Sequence, residues 1–434
     1  MKKMRMHAAG IDIGSRQVFV SIEGQPVKTF ETFTIDLESL STYLLSNEIT
    51  TVAMESPGSY WYVLYDILSD SGLDVWLVDG RQTRQVPGRK TDVRDCQWIQ
   101  QLHSYGLLNR CYVPDALIKE LRSYERLRQD HIRSAGMHVQ HMQKALIEMN
   151  IRLPEVLSQV HGASGTALIT AILAGERDRH KLVSLCHKSV RENKGEELLK
   201  ALEGHYTPHG LFALDQAYKA YLFYQGQILE CDKQIQHTLE KINKDKDLPP
   251  GANSANRKPI RHNKPKVDGL GDHLLKIFDG SDATRLPGIT DYNWLQLYSE
   301  MGSDLSKWPS EKHFTSWLGL SPGQNNSGKR NKSKSKGKPA VGQLFKEMAH
   351  GLLNSKYIGL GAFAKRLRSR KGPSIAIKAT ARKLAVQYWR LMVKGSDYVE
   401  KGIETYELML KQQRQRLLQR LALELNVRLI PLQL

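Results

Sequence analysis

The hydrophobic period of this chain changes once, near Pro114, and that change dictates an architecture of two kinds. Before it, alternating and helical segments take turns; beyond it only the helical period recurs. Met6–Gly14 is apolar and bounded by glycine. Gln17–Glu23 alternates, with Val18, Val20 and Ile22 on one face, and Pro26–Thr34 reads as a third strand. Short turns join the three, which predicts antiparallel neighbours. Asp36–Ser46 reads as a helix, with Leu37, Leu40, Tyr43 and Leu44 at helical spacing. Thr50–Glu55 (strand), Tyr60–Ser71 (helix), Asp74–Asp79 (strand) and Thr91–Leu107 (helix) follow. The order β-β-β-α-β-α-β-α predicts an α/β domain, a mixed sheet with helices on its faces.

From Pro114, suited to a first helical turn, the chain reads as a helical coiled-coil arm. Leu117, Leu121 and Tyr124, then Ala135, Val139, Met142, Leu146 and Met149, follow 4-3 spacing, interrupted by Arg128 and His131. A second long helix, about 211–242, carries Ile228, Ile235, Leu239 and Ile242. Residues 244–267 are rich in Lys, Asn and Pro and read as an interdomain linker. Beyond it, Leu286-Pro287-Gly288-Ile289 forms a turn between helices, of a kind that can present backbone N–H groups to phosphate. Val341–Ser355, Leu360–Ser369 and Ser374–Val393 are helical again.

Charge is unevenly placed. The 434 residues hold 63 Lys+Arg and 45 Asp+Glu, net +18. From Pro322 to Lys394 there are 18 Lys+Arg and one acid, Glu347, which leaves 45 basic against 44 acidic residues elsewhere. A polyanion is the expected partner, and binding through such a block is steeply salt-dependent. No apolar run nears the ~20 residues of a membrane span, and the N-terminus lacks the core of a signal peptide. Four scattered cysteines form neither a disulfide nor a zinc framework. The expectation is a soluble, cytoplasmic, nucleoid-associated protein with no membrane partner.

Four carboxylates stand out in the first domain. Asp12 lies inside the apolar strand GIDIG, where a charge is costly unless paired or bound to metal. Glu55 ends the fourth strand, in AMESPGSYW, and Asp92 and Asp95, in KTDVRD, share a helix face at its start. Converging at one sheet edge, they would repel unless hard divalent cations were coordinated there. Two Mg²⁺ ions (or Mn²⁺) so held activate a nucleophile and stabilise the leaving oxygen of a phosphodiester. Taken singly, Asp92 and Asp95 could equally be a cap and a first-turn acid, and Glu55 a solvated strand end. GIDIGSRQVFVSI also resembles the first phosphate loop of the actin and sugar-kinase ATPases. No convincing second Asp-x-Gly hairpin follows, since VDGLGD at 267–272 lacks a strand pattern.

In WLGLSPGQNNSGKRNKSKSKGKPA, Ser327 is followed by glycine and then by Lys329, Arg330, Lys332, Lys334, Lys336 and Lys338. A Gly-flanked serine among cations can approach phosphate, though composition alone also fits a disordered basic loop. No His lies near it in sequence, so activation by metal is the economical route. Lys365, Arg366, Arg368, Arg370 and Lys371 form a second basic cluster, and both clusters are candidate nucleic-acid contacts.

The ordered set GIDIG, ESPGSY, GRKTDVRD, LPGI, WLGLSP and NSG resembles the DEDD insertion-sequence transposases of the IS110 family, and GRKTDVRDCQWI its IS1111 subgroup. The resemblance implies a RuvC-like, ribonuclease-H-type catalytic domain over 1–112, an arm over 113–243, a linker over 244–267 and a mostly helical transposase domain over 268–434. It implies catalytic, metal-holding carboxylates at Asp12, Glu55, Asp92 and Asp95, and a nucleophile at Ser327. It further implies an RNA-guided recombinase that excises and inserts its own element, with donor and target DNA, a noncoding guide RNA and a homo-oligomer (dimer or tetramer) as partners. Two positions depart from the family pattern: Cys96 stands where Ala is usual, and Ser-Gly-Gly-Lys reads Ser327-Gly328-Lys329. Two other readings remain: a metal-dependent, structure-selective nuclease with no covalent intermediate, and a nucleic-acid-binding protein without activity.

Overall fold

The computed structural model describes residues 2–55, 58–83, 92–253, 257–322, 339–355 and 359–428. The chain divides into two compact units, Met1–Val113 and Pro114–Leu434.

The first unit holds β1 (Ala8–Ile13), β2 (Gln17–Ile22), β3 (Lys28–Glu31), α1 (Thr34–Ser46), β4 (Thr51–Glu55), α2 (Trp61–Asp70), β5 (Asp74–Val78), α3 (Gly80–Thr83) and α4 (Asp92–Ser104). The strand order is β3-β2-β1-β4-β5. β1 runs antiparallel to β2, as does β2 to β3, while β1–β4 and β4–β5 are parallel. This mixed, RuvC-like sheet is the expected fold class. Alternation along β1 separates two faces. Ala9, Ile11 and Ile13 join Leu37, Leu40, Leu44, Leu64 and Leu68 in one core, so α1 and α2 cover that side. On the other side Ala53 and Val78 pack with Ile99 and Leu102 of α4.

The second unit begins with α5 (Ala116–Glu148), whose N-cap Asp115 accepts from Ile118 N at 2.9 Å. Pro114 therefore sits just outside the helix rather than in its first turn. Four shorter helices follow, α6 (Leu153–Val156), α7 (Ala163–Leu173), α8 (Arg179–Ser184) and α9 (Lys188–Ala201), and then α10 (Pro208–Ile242), which packs along α5. The α5 seam differs from the expected one. Leu117 is 38% exposed while Ile118 is buried, and the inward positions are Ile118, Leu121, Glu125, Arg128, Ala135, Met142 and Leu146. Arg128 does not break the seam but occupies it. Its Nε donates to Asp232 Oδ1 of α10 at 2.6 Å, and its other nitrogens donate to Tyr292 Oη at 2.6 Å and the Asn263 carbonyl at 3.1 Å.

The C-terminal helices are α11 (Leu270–Ile277), α12 (Asp291–Met301), α13 (Glu311–Trp317), α14 (Ala340–Leu352), α15 (Gly359–Lys371), α16 (Pro373–Lys394) and α17 (Ser396–Glu424). Ile118, Leu121, Ile235 and Leu239 of the long pair share one core with Trp294, Phe314, Phe345 and Tyr388. The segment read as a linker is tied down between them. Lys266 N donates to Asp232, Arg257 pairs with Asp282, and Val267 is buried.

Candidate metal centre

The acidic cluster follows from the two faces of β1. Asp12 shares its face with Gly10, towards α4, so the charge inside an apolar strand leaves the core that Ile11 and Ile13 enter. α4 comes close because position 10 has no side chain. A Cβ there would stand 2.7 Å from Gln100 Cα and nearer still to Gln100 N and Cys96 O. The close approach places the first turn of α4 beside the end of β1. One carboxylate oxygen from each of Asp12, Asp92 and Asp95 lies within 4.8 Å of the other two. Asp12 and Asp95 are half-buried and Asp92 is exposed, so the cluster opens outward.

Three carboxylates so close repel, and an oxygen-only set of this kind fits a hard divalent cation. The nearest sulfur does not change the donor chemistry. Burial, and then the charge of Asp12, push the Cys96 thiol up to about 12, so it stays neutral while its Sγ–H points at the Val93 carbonyl, 3.1 Å away.

Glu55 is the register partner of Asp12 on the neighbouring parallel strand, hence on the same face. Its carboxylate is not among the three that converge. Oε2 accepts from Thr83 Oγ1, and Oε1 lies over Gly80, where a Cβ would collide with it. Thr83 and Gly80 of α3 were missed in the sequence, where the reading stopped at Asp79; the glycine directly after a strand end was the available signal.

Ser327 and the run Lys329, Arg330, Lys332, Lys334, Lys336 and Lys338 lie outside the described residues. In the second basic cluster Lys365, Arg366, Arg368, Arg370 and Lys371 are all exposed on α15. The 286–289 turn is held from within. The Lys258 ammonium, partly desolvated at the end of an otherwise exposed residue so that its pKa is lowered, donates to the carbonyls of Thr284 (2.6 Å), Leu286 and Ile289 (3.4 Å), and Gly288 supplies φ +79°. Among the described residues no helix is long and apolar enough to cross a membrane.

Two family models match the chain. Residues 9–151 match DEDD_Tnp_IS110, a transposase model that begins in β1 and runs through α5. Residues 282–358 match the model of the transposase IS116/IS110/IS902 family. No curated protein matches the chain significantly.

Proposed function

Since the chain belongs to the IS110-type DEDD transposases, enzymes that act on DNA, we propose that it excises and inserts an insertion sequence under the direction of a noncoding RNA, with Ser327 as nucleophile. The observation that carries the reading is the convergence of Asp12, Asp92 and Asp95 at the sheet edge. These three residues would hold Mg²⁺ or Mn²⁺, with Glu55 on the same face of the sheet as the fourth carboxylate. A divalent cation bound there lowers the cost of deprotonating an attacking hydroxyl and offsets charge on the phosphodiester.

Ser327 Oγ attacks phosphorus. One Oγ–P bond forms, one P–O bond of the DNA breaks, and the departing DNA oxygen takes the proton. The phosphoserine retains the energy of the broken bond, so a DNA hydroxyl can reverse the attack and exchange strands without ATP. Lys329, Arg330, Lys332, Lys334, Lys336 and Lys338, with the exposed cations of α15, hold phosphates by charge. The active form is a homo-oligomer.

The test uses end-labelled DNA carrying the element's termini. Ser327→Ala should abolish covalent protein–DNA adducts while DNA and RNA binding persist. Asp12→Asn should abolish cleavage altogether. Cleavage by Ser327→Ala without adducts would instead identify a hydrolytic nuclease. Sequencing RNA that co-purifies with the protein tests the guide, and a random mixture would remove it from the reading.

A further inference from the structure

The first unit is a poor electrostatic host for DNA. Residues 1–113 hold 11 Lys+Arg against 13 Asp+Glu, net −2, so the counterion-release term that normally dominates affinity does not favour binding there. Contacts that do not depend on charge must then fix a strand beside the acids. The start of α2 supplies one. Tyr60, Tyr62 and Val63 are 53%, 37% and 54% exposed. The Tyr62 ring stacks on Trp61, with centroids 3.9 Å apart and planes 21° apart, and Trp61 meets Tyr65 edge-on at 5.7 Å. Tyr65 is buried, and its hydroxyl accepts from Arg110 at 3.3 Å. The ladder of rings is thus rooted in the core and ends in an aromatic residue at the surface.

Its place in the fold points to an occupant. β4 ends at Glu55, in register with Asp12, and α2 begins at Trp61, so the ladder and the acids stand at the same carboxyl edge of the parallel strands. Five residues separate Glu55 from Trp61, a span of at most about 20–22 Å. We propose that Tyr62, backed by Trp61 and flanked by Tyr60, stacks an unpaired base of the DNA strand next to the scissile phosphate. This rests on the transposase reading of the acidic site. An aromatic face suits the task better than a cation, which would compete for the carboxylates. Every base has a π face, so the contact tolerates sequence and resists salt.

The experiment uses the full chain with 2-aminopurine in an unpaired stretch of DNA, and a fully paired duplex as comparison. The wild type should quench the probe on binding. Tyr62→Ala should weaken binding to the unpaired DNA by roughly 5- to 150-fold and relieve quenching, with duplex affinity unchanged. Tyr62→Phe and Tyr62→Trp should behave as the wild type. Equal losses on both DNAs, or full quenching by Tyr62→Ala, would overturn the proposal. So would dissociation of a protein oligomer with unpaired-DNA affinity intact, since the patch would then be a protein interface. Absence of metal-dependent cleavage by the wild type would refute the reading of the acids and leave the stacking result legible on its own.

Discussion

Gly10→Ala tests whether the acidic cluster is set by backbone packing at a distance from its own oxygens. The added methyl would meet backbone on both sides, 2.7 Å from Gln100 Cα and closer to Gln100 N and Cys96 O, where ordinary contact begins near 3.4 Å. None of these atoms is a flexible side-chain end, so α4 must move off β1 by roughly 1 Å, at a cost of ~1–3 kcal/mol for overpacking. Asp92 and Asp95 ride on the first turn of that helix and move with it, while Asp12 stays on the strand. A displacement of that size costs on the order of 10²-fold in rate at a site built on position. The assay pairs two readings. Divalent cation at about 100 times its Kd should raise wild-type stability by ~2.7 kcal/mol, and this metal-induced rise in Tm should largely vanish in the variant. Metal-dependent DNA cleavage should fall by about two orders of magnitude, although the variant still folds. Wild-type cleavage together with an undiminished metal-induced Tm rise would refute the link between Gly10 and the site.

The buried polar seam of the second unit gives two more expectations. Removing one partner of Arg128–Asp232, both almost fully buried, should cost ~3–5 kcal/mol in denaturant titration. Arg128→Met and Asp232→Leu combined should recover much of that loss. Glu125, desolvated and only partly compensated by Gln129 and Arg128, has its pKa raised to about 7 from 4.5. A carboxyl raised in the folded state is the reverse of the usual acid case. The unfolded chain ionises first, so this group's contribution is neutral below about 4.5, becomes destabilising as pH rises, and levels off above about 7. Glu125→Gln should therefore raise Tm relative to the wild type at pH 8 and change it little at pH 4.5, with a gap of up to about 3 kcal/mol. A variant less stable than the wild type at pH 8 would show that Arg128 needs the negative charge.

The first unit was legible in the sequence because one periodicity answered one question. Elements such as β2 and α1 keep one strongly apolar face, so Val18, Val20 and Ile22, or Leu37, Leu40 and Leu44, declare both element and orientation, while β1 and β4, buried on both faces, read as short apolar runs. Asp12 was legible for the opposite reason, as a charge where the pattern allows none. The arm was harder because its seam is polar at two consecutive inward positions. The expected seam is buried at Leu121, Ala135, Met142, Leu146 and Met149, but with Glu125 and Arg128 inside, its start falls on Ile118 rather than Leu117, and Tyr124 packs at the core's edge. Partners more than 100 residues away in sequence, Asp232, Tyr292 and the Asn263 carbonyl, make those polar positions tolerable. Glu55 shows the same limit at the site. The sequence places it beside Asp12 by register, but the hydroxyl that engages its carboxylate belongs to Thr83, beyond the next strand.

The charge of the chain separates binding from chemistry, and the separation can be measured. Residues 1–113 carry net −2, so the remaining 114–434 carry +20 of the total +18. Affinity for DNA should thus arise in the second unit and fall steeply with salt, whereas the carboxylates and the Tyr62 face, in their proposed roles, should act on DNA already bound. Lys365, Arg366, Arg368, Arg370 and Lys371 are exposed on one described helix and are the direct test. If each neutralises one phosphate, replacing all five by Gln reduces the slope of log K against log salt by up to about 4.5, at ~0.9 per contact. Cleavage at saturating DNA and low salt should stay near wild type, because no acid and no aromatic of the first unit has been touched. An unchanged salt slope would move the phosphate contacts off α15. A lost cleavage rate at saturation would mean that these cations take part in positioning the scissile strand.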